Sequence, residues 1–105
     1  MVRNERIEQA ARALAAAAHG PARVILFGSW ARGEAVADSD VDFLVVERRV
    51  DDRFEESVRL ARVAGDLRVP ADVVVVSEDQ VEEWGEVRGT MLYDALTEGR
   101  VLAET

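Results

Sequence analysis

Between Gly28 and Val46 the chain reads GSWARGEAVADSDVDFLVV, and two short elements in it could do chemistry: a Gly28-Ser29 turn and, after ten intervening residues, Asp40-Val41-Asp42. With Asp38 just ahead, three aspartates stand at the mouth of an otherwise apolar run. Carboxylates entering a core are costly unless a cation compensates them. Side chains on a strand alternate faces and rise about 3.3 Å per residue, so Asp40 and Asp42 are expected to point the same way, about 6.6 Å apart. Asp72 opens a second strongly apolar run. If that run pairs beside the first, a third carboxylate joins the two. Hard oxygen donors with no thiolate or imidazole nearby suit Mg2+, with Mn2+ as the alternative.

The Gly-Ser turn fits the same chemistry. Gly28 lets a backbone approach a ligand closely. Ser29 would open a turn or short helix whose free amides, with its hydroxyl, hold phosphate oxygens. Arg32 stands close enough to assist, or to pair with Glu34. The expected assembly is a triphosphate held by Gly28 and Ser29 and bridged through metal to Asp40, Asp42 and Asp72, which is a nucleotide-transfer site in outline.

These residues need rigid elements to hold them. Ile7, Ala11, Leu14 and Ala18 recur at helical spacing, which predicts an amphipathic helix from Arg3 to His19 stopped by Gly20-Pro21. ARVILFGS and VDFLVVE read as buried strands, and ADVVVVS after Pro70 as a third. DDRFEESVRLARVAG reads as a helix capped by Asp51 or Asp52, with Phe54, Val58 and Ala61 as its apolar stripe. Ser77 caps EDQVEEW, and TMLYDALTEG closes the series, ending at Gly99. Trp30, Trp84 and Tyr93 are expected to pack against apolar neighbours, and His19 to sit at a helix end. Three strands interleaved with helices imply an α/β (α+β) layer architecture, a small mixed sheet with helices mainly on one face.

Composition limits the alternatives. The 105 residues are 49% hydrophobic and 32% charged, the size and make-up of one globular domain, taken as residues 1–105. No apolar run approaches a membrane span, and the charged first helix is unlike a signal peptide, so a cytoplasmic location is expected. Cysteine is absent and His19 is the one histidine, so any metal site must be built from oxygen. The net charge of −8, with 21 acids against 13 arginines, disfavours direct nucleic-acid binding and favours a basic protein partner or a cation-bridged ligand.

The G-S-x10-D-x-D pattern, with a distal aspartate at Asp72 and the GTMLYDALTEGRVL tail, resembles the DNA polymerase β-like nucleotidyltransferase superfamily, and most of all its minimal nucleotidyltransferases (MNT domains). Phe43 departs from the aliphatic residue common there, without chemical consequence. The resemblance implies the polymerase β-like fold, two ions bound by Asp40 and Asp42, a role for Asp72 in metal binding and in orienting or deprotonating an attacking hydroxyl, and a nucleotide held by Gly28 and Ser29. It implies ATP as donor. Because the chain ends soon after this core, another chain is expected to present the acceptor. Minimal nucleotidyltransferases often resemble the antitoxin half of HEPN/MNT toxin–antitoxin modules, in which AMP passes to a tyrosine of a HEPN-domain ribonuclease toxin. The alternatives are a binding-only antitoxin and a transferase acting on a small molecule or RNA with help from another subunit.

Overall fold

The computed structural model of the chain describes residues 4–36 and 39–105. Asp38 and the helix start expected at Arg3 lie outside the described residues. The elements follow in the order α1 (Asn4–Ala17), β1 (Ala22–Phe27), α2 (Ser29–Arg32), β2 (Val41–Glu47), α3 (Arg53–Asp66), β3 (Ala71–Ser77), α4 (Glu78–Trp84), α5 (Met91–Glu98) and β4 (Arg100–Glu104). One mixed sheet has the order β3-β2-β1-β4, with β2 parallel to β3 and β1 antiparallel to both β2 and β4. The parallel pair requires a crossover, and α3 supplies it.

Strand alternation divides the core in two. Val24, Leu26, Val41, Phe43, Val45, Val73 and Val75 face one side, where α1 brings Ile7, Ala10, Ala11 and Leu14 and α3 brings Leu60. Ile25, Leu44, Val46 and Val76 face the other, where the shorter α5 brings Leu92 and Ala95. The heavier helical layer thus lies on one face, and the second face is covered more thinly. Burying Phe43, Leu14, Leu26, Leu44 and Leu60 completely contributes roughly 1.5–3 kcal/mol each against the entropy of ordering the chain.

Local signals explain most boundaries. Asp52 caps α3 by accepting from the Glu55 amide at 3.0 Å. Ser77 and Gln80 form a reciprocal capping box on α4. Thr90 caps α5 through the Tyr93 amide.

The α3 stripe expected at Phe54, Val58 and Ala61 holds at Ala61, which packs against the first core cluster, and is corrected at the other two. Phe54 is 80% exposed and Val58 is also exposed, whereas Glu56, Leu60 and Ala64 face inward. Leu60 and Ala64 are fully buried with Glu56 on the same i, i+4 stripe, which leaves the Phe54 side outward. Strand β4 is an addition to the three strands expected. It has five residues with no apolar alternation, and it docks because Gly99 turns directly from α5 onto β1. A Cβ at Gly99 would overlap the carbonyls of Ala95 and Leu26 and the Ile25 side chain.

At the C-terminal end of β2, Glu47 is 1% exposed and accepts from the His19 amide at 2.9 Å. Arg59 grips Glu56 through two hydrogen bonds of 2.7 and 2.8 Å and also donates to the Ala17 carbonyl. Burial and the neighbouring Glu56 carboxyl push Glu47 up to about 7. The Arg59 guanidinium holds Glu56 down to about 2. A carboxyl raised on folding stabilises the fold only while protonated, so the Glu47 contribution is full below pH 4.5 and lost as pH climbs through about 7. Glu56 works oppositely, its contribution being lost as pH falls from 4.5 to about 2. Glu47→Gln mimics the protonated form. Its stability advantage over the parent, measured by urea unfolding, is expected to be near zero at pH 4 and to grow to on the order of 2 kcal/mol at pH 8.

Candidate functional site

Asp42 and Asp72 are register partners on the parallel pair β2–β3, so their backbones lie one strand spacing apart, about 4.8 Å. The expected lateral pairing of these strands is therefore present. Phe27 opposes Asp42 across β1–β2, which sets the Gly28 turn beside the same carboxylate.

Gly28 has φ 74° and ψ −154°, a region open in practice to glycine alone. A Cβ there would overlap Oδ2 of Asp42. Gly28 is expected to let a ligand approach closely, and in the fold the neighbour its bare backbone admits is the Asp42 carboxylate. From Gly28 the chain enters α2, whose first residue is Ser29. The Arg32 and Glu34 amides bond back to the Gly28 and Ser29 carbonyls at 3.1 and 2.9 Å. The opening amides of this turn precede any intrahelical acceptor.

Strand β2 starts at Val41, the bound that VDFLVVE predicts, and Asp40 stands at the loop end just before it, exposed. Two anchors hold it. Trp30 donates from Nε1 to the Ser39 carbonyl at 3.2 Å, and the Val41 amide donates to the Pro70 carbonyl at 2.9 Å. Ser39 also turns its own loop, accepting from the Val36 amide at 2.9 Å. Trp30 packs against the first core cluster as expected, and its indole N–H gives it this second role, which no local pattern signals. Trp84 departs from the packing expectation and stands 48% exposed.

Charge is unbalanced at the site. Partial burial, then the negative charges of Asp72 and Asp40, raise the Asp42 carboxyl above its ordinary range, with Arg32 opposing them. That guanidinium is already engaged by Glu34 at 2.8 Å and by Glu98 at 3.5 Å. Glu98, on α5, is a partner that no local pattern signals, because its closeness to α2 is set by how α5 lies on the sheet. Among the described residues no three acidic or imidazole groups close into a ready-made metal cage. Mg2+ does not need one, since it retains waters and binds through one or two carboxylates plus substrate phosphates. Three aspartates against one shared arginine leave the surplus negative charge that such an ion would offset.

The order of elements and the mixed sheet are those of the polymerase β-like nucleotidyltransferase fold. Residues 6–102 match the nucleotidyltransferase domain family, and the chain belongs to it. A crystal structure of a candidate nucleotidyltransferase from Sulfolobus solfataricus is similar at a TM-score of 0.57 with 18% identity, covering 92% of this chain and 76% of that one. A toxin–antitoxin structure with AMP-PNP is similar at a TM-score of 0.60 with 22% identity, covering 99% of this chain and 75% of that one. No curated protein matches the sequence. Among the described residues no helix is long and apolar enough to cross a membrane.

Proposed function

We propose that this nucleotidyltransferase moves AMP from ATP to a hydroxyl, a tyrosine, of a HEPN-domain ribonuclease toxin and so acts as its antitoxin. The observation that carries the reading is the Asp42–Asp72 register pair beside a glycine whose bare backbone admits the Asp42 carboxylate. The toxin partner and the adenine nucleotide rest on the fold shared with the toxin–antitoxin structure holding AMP-PNP.

The acceptor oxygen forms a bond to the α-phosphorus of ATP, the bond from that phosphorus to the bridging oxygen breaks, and pyrophosphate leaves. Asp72 orients the acceptor hydroxyl and takes its proton. Gly28 and Ser29 hold the terminal phosphates, and Arg32 adds positive charge beside them. Asp40, Asp42 and Asp72 would hold Mg2+, which when bound stabilises charge on the entering and departing oxygens. No protein nucleophile takes part.

The test combines α-labelled ATP, Mg2+ and a purified HEPN-domain ribonuclease. Label on the ribonuclease, absent with Asp40→Ala and Asp42→Ala and absent when the acceptor tyrosine becomes Phe, is the expected result. Tight complex formation without label would overturn the transfer and leave neutralisation by binding. Label on RNA or a metabolite instead would overturn the protein acceptor.

A further inference from the structure

The Arg32 amide donates to the Gly28 carbonyl at 3.1 Å, so this arginine stands one helical turn beyond the glycine of the site. Among the described residues its guanidinium is the one positive charge acting on Asp42. That cation is already engaged. Glu34 holds its Nε at 2.8 Å and Glu98 holds its Nη1 at 3.5 Å. Both pairs are open to water, with side chains between 44% and 62% exposed, and exposed pairs of this kind contribute little to a fold. Two carboxylates on one guanidinium also leave negative charge in excess.

The placement of Glu98 has no local explanation. It is the last residue of α5, where a carboxylate meets the negative end of the helix dipole, so the helix gains nothing from an acid there. Its backbone is nevertheless fixed. Gly99 turns α5 onto β1 at a point where a Cβ would overlap the carbonyls of Ala95 and Leu26, and Leu26 lies two residues ahead of Gly28. The turn that closes α5 therefore carries Glu98 to the Gly28–Arg32 segment. Glu34 is fixed there as well, because its amide bonds to the Ser29 carbonyl at 2.9 Å.

These contacts decide what form of nucleotide the site accepts. A triphosphate entering alone meets the carboxylates of Asp40, Asp42 and Asp72 and finds the neighbouring guanidinium neutralised, so like charges come together without compensation. A triphosphate carrying a divalent cation brings the charge that the aspartates lack, and it needs less from Arg32.

We infer that Glu34 and Glu98 are specificity-determining residues: by occupying Arg32 they make the site take a nucleotide as its divalent-metal complex and reject the free triphosphate. The Glu98 contact is the longer, so it is the one given up when phosphate oxygens reach the guanidinium, while Glu34 keeps the side chain in place. The inference rests on the nucleotide-transfer reading above for the identity of the ligand. The exchange of partners at Arg32 is a binding event and needs no acceptor.

Equilibrium dialysis of the full chain against α-labelled ATP, in EDTA and in Mg2+, tests this. In EDTA the parent is expected to bind weakly and Glu34→Gln with Glu98→Gln about tenfold more tightly, roughly threefold for each exposed pair released. In Mg2+ the two are expected to differ by less than about threefold. Adding Arg32→Gln to the double variant is expected to return its affinity in EDTA to that of the parent, because the gain runs through the guanidinium. Glu82→Gln with Glu83→Gln removes the same charge from exposed positions on α4 and is expected to bind as the parent does. Circular dichroism confirms that each variant is folded. An affinity in EDTA that Glu34→Gln with Glu98→Gln leaves unchanged or lowers overturns the inference. A gain that survives Arg32→Gln, or that Glu82→Gln with Glu83→Gln reproduces, overturns it too. Each of these results leaves the transfer reading standing. The expected gain together with Mg2+-dependent binding, but with no label passed to the HEPN ribonuclease, keeps the exchange at Arg32 and discards transfer to that acceptor. No binding of ATP in either buffer by parent or variants overturns both.

Discussion

Asp42→Asn is expected to lower nucleotidyl transfer by roughly 10²–10³-fold or more, the usual cost of losing a group that organises transition-state charge, and to raise the melting temperature of the ligand-free protein at pH 7. The two effects have one cause. Burial and the charges of Asp72 and Asp40 lift the Asp42 carboxyl above its ordinary range. A carboxyl raised in the folded state stabilises the fold only while protonated, and this contribution is lost as pH rises from 3.8 through the raised value. At neutral pH Asp42 is ionised at a cost, and a neutral isostere removes that cost. The same ionised group is what a divalent ion with nucleotide would bind, so a gain in stability accompanies a loss of function. Scanning calorimetry with and without Mg2+ and a non-hydrolysable ATP analogue checks both halves. The parent is expected to gain stability from the ligands by mass action, and the Asp42→Asn variant much less. Unchanged transfer in the variant would remove Asp42 from the site, and a lower melting temperature without ligand would refute the electrostatic account.

Asp42 also marks how far the sequence reaches. Its position on an apolar run after a Gly-Ser turn is local information, and so are the caps at Asp52 and Ser77. Both strands are legible as valine-rich runs, while their pairing side by side is conditional in the sequence and is supplied by the sheet. Other features depend on contacts between residues far apart in the chain. The inward face of α3 is the stripe of Glu56, Leu60 and Ala64, so an apolar count that treats Phe54 and Val58 as core selects the wrong face. Strand β4 has too few apolar residues to announce itself, and it pairs because β1 offers an open edge and Gly99 permits a sharp approach. Exposure of Trp84 is invisible for the same reason: composition favours burial of tryptophan, but only the placement of α4 decides whether there is anything to pack against.

Gly28→Ala is expected to damage stability and transfer together, and more severely than an alanine at any other positive-φ glycine among the described residues. The backbone at φ 74° and ψ −154° costs a non-glycine residue on the order of 1–3 kcal/mol. The new methyl group also overlaps Oδ2 of Asp42, and Asp42 has little room to retreat because β2 is paired on both sides at that level, with Phe27 and with Asp72. Relief must come from rotating the carboxylate out of the site or from opening the β1–α2 turn, and either displaces the groups proposed to hold metal and phosphate. Gly20→Ala provides the comparison. Its φ is 80° and nothing lies within 4 Å of the added carbon, so it carries the left-handed backbone cost alone, about 1 kcal/mol. In thermal unfolding, each kcal/mol lowers the melting temperature of a domain this size by roughly 4–8 °C. The Gly28→Ala variant is expected to show the larger drop together with loss of labelled product below the melting transition, while Gly20→Ala keeps its transfer rate. Equal shifts for the two variants, with transfer retained in both, would mean that the Asp42 carboxylate yields freely and that its placement by Gly28 is not what builds the site.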